Sequence, residues 1–255
     1  MRAEYSILVV NPNSTEAMTE ALKPLTSKLG FKDASLTFFT APSGPKSINN
    51  EDDAIESARH CLPHLLPLLA FNDAILVACY SAHPLVPILK REPSIREANK
   101  PVTGIFDASV SAALQLVQPG ERFGIVSTGR QWEAILSEAV EAFLGTAAKQ
   151  GKSSAPEDIS ARFAGVETTG LDATELHDAP PEEVRRKMMD ATRRLVRKGK
   201  VGAICLGCAG MAGMNEIVRE ACLEELGEEE GRRVRIVDGV QAGVAWLEGA
   251  VRLDS

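Results

Sequence analysis

Ala74-Ile75-Leu76-Val77-Ala78-Cys79-Tyr80-Ser81 and Ala203-Ile204-Cys205-Leu206-Gly207-Cys208-Ala209-Gly210 are built to one plan. Each is an apolar run of strand length that ends in a cysteine and then breaks into small or turn-prone residues ahead of a helical pattern. A buried parallel strand feeding a helix has this form. The pattern places Cys79 and Cys208 at the carboxyl ends of their strands, the edge where open α/β sheets bind ligands. It also points each thiol toward the N-terminal end of the following helix, whose partial positive charge favours thiolate over thiol.

Working outward, the same plan appears on both sides of the chain. Ile7 to Val10 reads as a strand that stops at the turn and capping residues Asn11-Pro12-Asn13-Ser14-Thr15, before a helix from about Glu16 to Leu29 interrupted by Pro24. Ser35 to Thr40 reads as a strand, Ala41 to Asn50 as a loop, and Glu51 to Leu69 as a helix bent or broken at Pro63 and Pro67. A short helix near Pro84 to Arg91 follows the first cysteine strand. Val102 to Phe106 is the next strand, with Asp107 as N-cap of a helix over Ala108 to Val117. Phe123 to Val126 restarts the pattern, and Ser127-Thr128-Gly129 stands where Asn13-Ser14-Thr15 stood. A helix over Gln131 to Leu144, an exposed loop over Gly145 to Asp158 and a strand over Ile159 to Val166 come next. After them lie a polar loop or short helix over Glu167 to Asp178, a charged amphipathic helix over Pro180 to Lys198, the second cysteine strand and a helix through Cys222. Val234 to Gly239 echoes Val102 to Ala108, and the charge run Glu224 to Arg233 reads as a solvated turn. Repeated features in the same order predict an internally duplicated α/β fold with parallel sheets.

The 255 residues are 44% hydrophobic and 25% charged, ordinary for a globular protein, while 5% aromatic content makes the core mainly aliphatic. A net charge of −7 with a pI near 5.3 argues against nucleic acid and anionic membranes as partners and favours a small molecule. Met1 to Tyr5 carries no signal-peptide pattern, and Leu62 to Ala82 is too interrupted by Pro, His, Asn and Asp to span a membrane. The expectation is a cytoplasmic protein whose five cysteines are reduced thiols.

If the halves are related by a pseudo-twofold, the Cys79 and Cys208 strand ends face one cleft, with Asn11-Pro12-Asn13 and Ser127-Thr128-Gly129 on its other sides. Two acid/base groups on opposite faces of a small substrate are what inversion of a carbon centre requires. A thiol of ordinary pKa costs roughly 2 kcal/mol to ionise at neutral pH, within reach of a helix terminus and nearby N–H groups. Backbone N–H groups after each cysteine, with Gly207, Ala209 and Gly210, are expected to hold the enolate-like charge. A single free cysteine is more often a small core hydrophobe, and Cys61, Cys205 and Cys222 are read so. Matched positions in both halves single out Cys79 and Cys208. The Cys205-x-x-Cys208 pair and the i, i+4 pair His60 and His64 are too incomplete to read as a metal site. His83 either favours the Cys79 thiolate as a cation, bonds substrate as a neutral ring, or is structural.

At these residues the chain resembles the Asp/Glu/hydantoin racemase superfamily, most closely its hydantoin racemase branch. The matching pieces are Ile7 to Thr15 (ILVVNPNST), Ala78 to Ser81 (ACYS) and Leu206 to Met211 (LGCAGM). The resemblance implies two pseudo-symmetric, Rossmann-like or flavodoxin-like α/β domains with the active site in the cleft. One would span 1–101 plus about 215–255, through a returning final strand and helix, and the other about 102–214. It implies cofactor-independent catalysis by Cys79 and Cys208, no metal, and a homo-oligomer. Substrate contacts are expected from Asn11, Pro12, Asn13, Tyr80, Ser81, His83, Thr128, Gly129, Thr169, Gly207 and Ala209. The amino-acid racemases' Asp-Ser opening and their Asn-Thr and Thr-His continuations are missing. The Gly-Asp-Pro-like continuation of bacterial hydantoin racemases is replaced by Ser81-Ala82-His83-Pro84-Leu85. These departures favour a polar cyclic ureide such as allantoin beside 5-substituted hydantoins. The alternatives are a superfamily relative acting on a small diacid, as decarboxylase, cis–trans isomerase or amino-acid racemase, and a non-catalytic metabolite-binding protein.

Overall fold

The two cysteine-bearing runs supply the third strand of each of two four-stranded parallel sheets in the computed structural model, which describes residues 5–27, 29–145 and 162–253. The first sheet contains β1 (Tyr5–Asn11), β2 (Ala34–Thr40), β3 (Ala74–Val77) and β4 (Val102–Gly104) in the order β2-β1-β3-β4. The second contains β5 (Arg122–Ser127), β6 (Phe163–Thr168), β7 (Val201–Leu206) and β8 (Arg235–Asp238) in the order β6-β5-β7-β8. Every residue of β3 and β7 is buried, as expected for parallel strands covered on both faces. In both sheets the strand order reverses between the first and third strands, so the crevice at the switch point falls at the carboxyl ends of β1 and β3, and of β5 and β7.

Each strand is followed by helix. After β1 comes α1 (Glu16–Ser27), with Pro24 carried inside it. Ahead of β3 lies α2 (Glu51–Leu65), capped by the Asn50 side chain, which accepts from Asp53 N at 2.8 Å. Its buried stripe is Ala54, Ser57, Ala58, Cys61 and Leu65. Pro63 stays within α2, and the expected break comes as a 3₁₀ segment, Leu66–Phe71, with Pro67 in its first turn. The short helices α3 (Leu85–Arg91) and α4 (Pro93–Arg96) lead into β4.

α5 (Ile105–Leu116) begins earlier than the sequence suggests, taking Ile105 and Phe106 from the expected strand. Asp107 is therefore not the N-cap. It lies in the first turn, where its carboxylate accepts from the Gly104 and Asp107 backbone, and burial raises its pKa against the opposing influence of Lys90.

In the second unit α6 (Gln131–Leu144) occupies the expected span. The loop expected over Gly145 to Asp158 lies, beyond Gly145, outside the described residues, as does Ile159 to Ala161 of the expected strand. α7 (Glu175–Asp178) is one turn long, and α8 (Pro181–Val196) buries Met188, Ala191 and Leu195. α8 joins α9 (Asn215–Leu226) through the ion pairs Arg185–Glu220 and Arg193–Glu224, and Arg197, at its C-cap, reaches Glu225. The run Glu224 to Arg233 is not a turn. It finishes α9 and forms α10 (Glu228–Arg233), whose Glu228–Arg232 and Glu229–Arg233 pairs have the i, i+4 spacing that supports a helix.

The chain divides into residues 1–108 with 239–255, and residues 109–238. This corrects the expected boundaries. β4 pairs with β3, so it belongs to the first unit; β8 pairs with β7, from Ala203 opposite Arg235 to Leu206 opposite Asp238, and stays in the second. α9 stays there too, its Val218 and Cys222 joining the core around Met188 and Ile204. Only the final helix, α11 (Gly239–Leu253), returns to the first unit. Gly243 lets it lie against β3, since a Cβ at that position would overlap the Leu76 side chain. Among the described residues, no helix is long and apolar enough to cross a membrane.

Candidate active site

Each cysteine sits two residues beyond its strand, in the same backbone setting. The residue just before it donates to the last strand carbonyls of its central neighbour: Ala78 N to Val10 O at 2.8 Å, and Gly207 N to Val126 O at 2.7 Å. Cys79 thereby lies beside the Asn11–Thr15 loop, and Cys208 beside Ser127-Thr128-Gly129. Ser127 Oγ donates to Gly207 O at 2.8 Å, which ties the second pair of strand ends together. Gly207 has no room for a side chain, because a Cβ would stand 2.7 Å from Ile125 Cγ2 and 2.8 Å from Val126 O.

The electrostatic expectation for the thiols changes. α3 starts six residues after Cys79, so the loop separates that thiol from the helix terminus. Cys208 caps only a single 3₁₀ turn, Ala209–Met211, its Sγ accepting from Gly210 N at 3.3 Å. One turn supplies little dipole, and burial outweighs it: the Cys208 thiol is pushed up to about 11. It is a proton donor at neutral pH. Cys79, half-buried, lies 3.5 Å from Ser81 Oγ.

The Asn11–Thr15 loop is held mainly by its own side chains. Asn11 Nδ2 reaches Asn13 Oδ1, Thr15 O and Thr19 Oγ1 at 3.0–3.2 Å, and Asn11 Oδ1 accepts from Asn13 N. Asn13 Oδ1 also accepts from Thr15 N at 2.9 Å, and its amide nitrogen donates to Met18 Sδ at 3.2 Å. Pro12 contributes a carbonyl that accepts from Ser57 Oγ at 2.7 Å and from Cys61 Sγ at 3.4 Å. Ser57 is not marked by any motif; its signal in the sequence is a lone hydroxyl in the apolar stripe of α2.

His83 is only 1% exposed, and burial lowers its pKa to about 4, so it is neutral at physiological pH and not a cation beside Cys79. Its Nδ1 accepts from Leu85 N at 3.2 Å, which puts the proton on Nε2, 3.4 Å from Ser57 Oγ. His83, Ser57 and Pro12 O thus connect the loop after β3 to the loop after β1. Tyr80 packs edge-on against Phe106, with ring centroids 5.6 Å apart, in the core of the first unit.

In the second unit, Thr169 Oγ1 donates to Thr128 O and accepts from Leu171 N, so its hydroxyl fastens its own loop to the Thr128 loop. Thr128 is buried, and Gly129 follows it in the bend ahead of α6. The backbone donors expected to receive substrate charge are partly taken: Gly207 N by Val126 O, Gly210 N by the sulfur. Asp238, at the end of β8, accepts from Gly213 N at 3.0 Å and holds the loop after Cys208, a role no motif announced. All five cysteines are free thiols. Cys205 Sγ donates to Ser109 O at 3.6 Å in the core, away from the edge Cys208 occupies. Among the described residues no group of three His, Cys, Asp or Glu is placed to hold a metal ion, and His60 instead bonds Ser43 Oγ at 2.8 Å.

The profile of the Asp/Glu/Hydantoin racemase family matches residues 7–247. The chain belongs to that family. An uncharacterized protein of Schizosaccharomyces pombe is 34% identical over 97% of the chain and 92% of its own length. The hydantoin racemase of a Pseudomonas species is 26% identical, over 97% of the chain and 86% of that enzyme. The crystal structure of allantoin racemase from Pseudomonas fluorescens superposes with a TM-score of 0.77 at 26% identity, covering 98% of the chain and 92% of that protein. Glutamate racemases and maleate isomerases, at 13–18% identity, share the racemase-family fold.

Proposed function

We propose that the chain is a racemase of 5-substituted hydantoins or of allantoin, with Cys79 and Cys208 as its two proton-transfer groups. The observation that carries this reading is the matched setting of the cysteines. Each stands at the switch point of its own sheet, one residue after an N–H that bonds the neighbouring central strand. Membership of a racemase family and the named hydantoin and allantoin racemase relatives supply the substrate class.

One thiolate removes the proton from C5, the adjacent ring carbonyl takes up the charge, and the other thiol delivers a proton to the opposite face. The Cys208 thiol, kept protonated by burial, is set to deliver. In the reverse direction it must be the base, and the Gly210 N–H on its sulfur supports the anion. Asn13 Nδ2, which keeps a second N–H beside the one on Met18 Sδ, and the Thr128 hydroxyl are the side-chain donors assigned to orient the ring. A ureido substituent offers both of them partners, which favours allantoin over alkyl hydantoins.

The test is incorporation of solvent deuterium at C5 of single-enantiomer allantoin and of alkyl and aryl hydantoins, followed with optical rotation and corrected for spontaneous exchange. Enzyme-dependent exchange with loss of rotation is expected. Cys79→Ser and Cys208→Ser should each lower racemisation by at least about a hundredfold, the usual worth of a positioned acid or base. Full activity in either variant would eliminate the two-base scheme, and no exchange with any substrate would turn attention to diacids or to simple binding.

A further inference from the structure

The first unit carries a cavity at the edge of its sheet opposite to Cys79. α3 leaves the carboxyl edge after the Cys79 loop and runs back, so Lys90 in its last turn reaches the amino edge. α11 starts beside Ile105, at the carboxyl end of β4, and likewise returns, bringing Trp246 and Leu253 to that edge. There Lys100 and Pro101 enter β4. These residues, with Ile95, Arg96 and Asn99, line a space of about 510 Å³, within the usual range for small-molecule sites.

Its chemistry is opposite to that of the protein as a whole. In a chain of net charge −7, three cations line the cavity, Lys90, Arg96 and Lys100, and among the described residues no carboxylate does. Glu92 and Glu97, on the same connection, are not part of the wall. Lys90 and Arg96 form no ion pair among the described residues; the carboxylate that Lys90 influences is the buried Asp107. The wall is built: Lys100 Nζ donates to Leu69 O at 2.7 Å, Lys100 N to Ile95 O at 3.0 Å, and Asn99 turns the chain at a φ of 50°. Trp246, 47% exposed, offers a ring face beside these charges, with Ile95, Val102 and Ala250 as apolar neighbours.

We propose that this cavity binds a small ligand that joins an aromatic ring to a phosphate, of the nucleoside monophosphate class. The ring stacks on Trp246 and the phosphate lies on Lys90 and Arg96. The site is separate from the cysteines, and the proposal does not depend on the racemase reading.

AMP is the probe, and Trp246 is the reporter. The chain's other tryptophan, Trp132, is 5% exposed in the second unit, so saturable quenching of fluorescence by AMP, excited where adenine does not absorb, reports the cavity. Saturable quenching that is lost in Trp246→Phe is expected. Its affinity should fall roughly tenfold or more in Lys90→Ala/Arg96→Ala, should fall with added salt, and should be weaker for adenosine. Calorimetric titration of Trp246→Phe, in which AMP binds more weakly than to the unmodified chain, keeps the test independent of the fluorescent reporter. Quenching that does not saturate, equal affinity for adenosine, or equal affinity for inorganic phosphate alone in calorimetry would overturn the proposal. So would Trp246 emission that acrylamide cannot reach, since a second copy would then cover the ring.

Discussion

His83 and Cys208 show how burial decides protonation where sequence position suggests otherwise. His83 has a folded pKa of about 4 against 6.5 in the unfolded chain, so its link to stability runs one way. The stability associated with the neutral ring is complete above about 6.5 and is lost as pH falls toward 4. Nitrogen NMR of the ring should find a neutral Nε2–H tautomer unchanged from pH 8 to about pH 5; an imidazole titrating near 6.5 would contradict the buried placement. For Cys208 the shift has the opposite sense, from 9.0 up to about 11, and the thiolate is the form burial disfavours. Because only the thiolate is alkylated, Cys208 should react with iodoacetamide about a hundredfold more slowly than an ordinary cysteine at pH 8, gaining about tenfold per pH unit until near 11. Peptide mass spectrometry reads this directly, and a rate level between pH 7 and 9 would refute it. The residue types of both were legible in the sequence, but their protonation was not. It depends on what packs around each group, and Ser57, the partner of His83, lies 26 positions away.

At the scale of elements, the paired strand–cysteine runs gave the parallel sheets correctly, because an all-apolar strand ending in small residues has few other uses. Helix starts were less legible. Ile105 and Phe106 suit a strand by propensity, yet they begin α5, because the Asp107 carboxylate satisfies the backbone N–H groups of that turn. The α10 run was read as solvated, which its side chains are, but its charge spacing also satisfies a helix. Two glycines separate packing from propensity. Gly207→Ala should destabilise the fold by about 2–4 kcal/mol, since a backbone carbonyl stands where the methyl would go. Gly249→Ala, in α11 with nothing within 4 Å, should stabilise by about 0.5–1 kcal/mol. Urea unfolding of both variants measures the contrast, and equal effects would mean that the β5–β7 junction is looser than described.

Across the whole molecule, the duplication was legible and the family resemblance implied the return of the final helix, but the passage of α5 to the second unit and the stay of β8 there were not legible, since no local pattern says which sheet an element joins. β4 and β8 each end one sheet and launch a helix that belongs to the other unit: α5 passes to the second at Ser109, and α11 returns to the first at Gly239. A chain ending at Asp238 should therefore lose amide-exchange protection across β1, β3 and β4, where α11 packs through Gly243 and Leu247, while β5 and β7 remain protected. Uniform loss in both sheets would show that the units do not hold separately. The returning helix also sets an order of events during translation. The second unit is one continuous stretch and has all its residues before α11 is made. The first unit is begun earlier yet lacks α11 until the second has been synthesised. At about 5–20 residues per second, the ribosome leaves the β3 face uncovered for roughly ten seconds or more. Of the two units, the one begun earlier is therefore the one that waits longer for its full set of residues, and the one a chaperone has more time to meet.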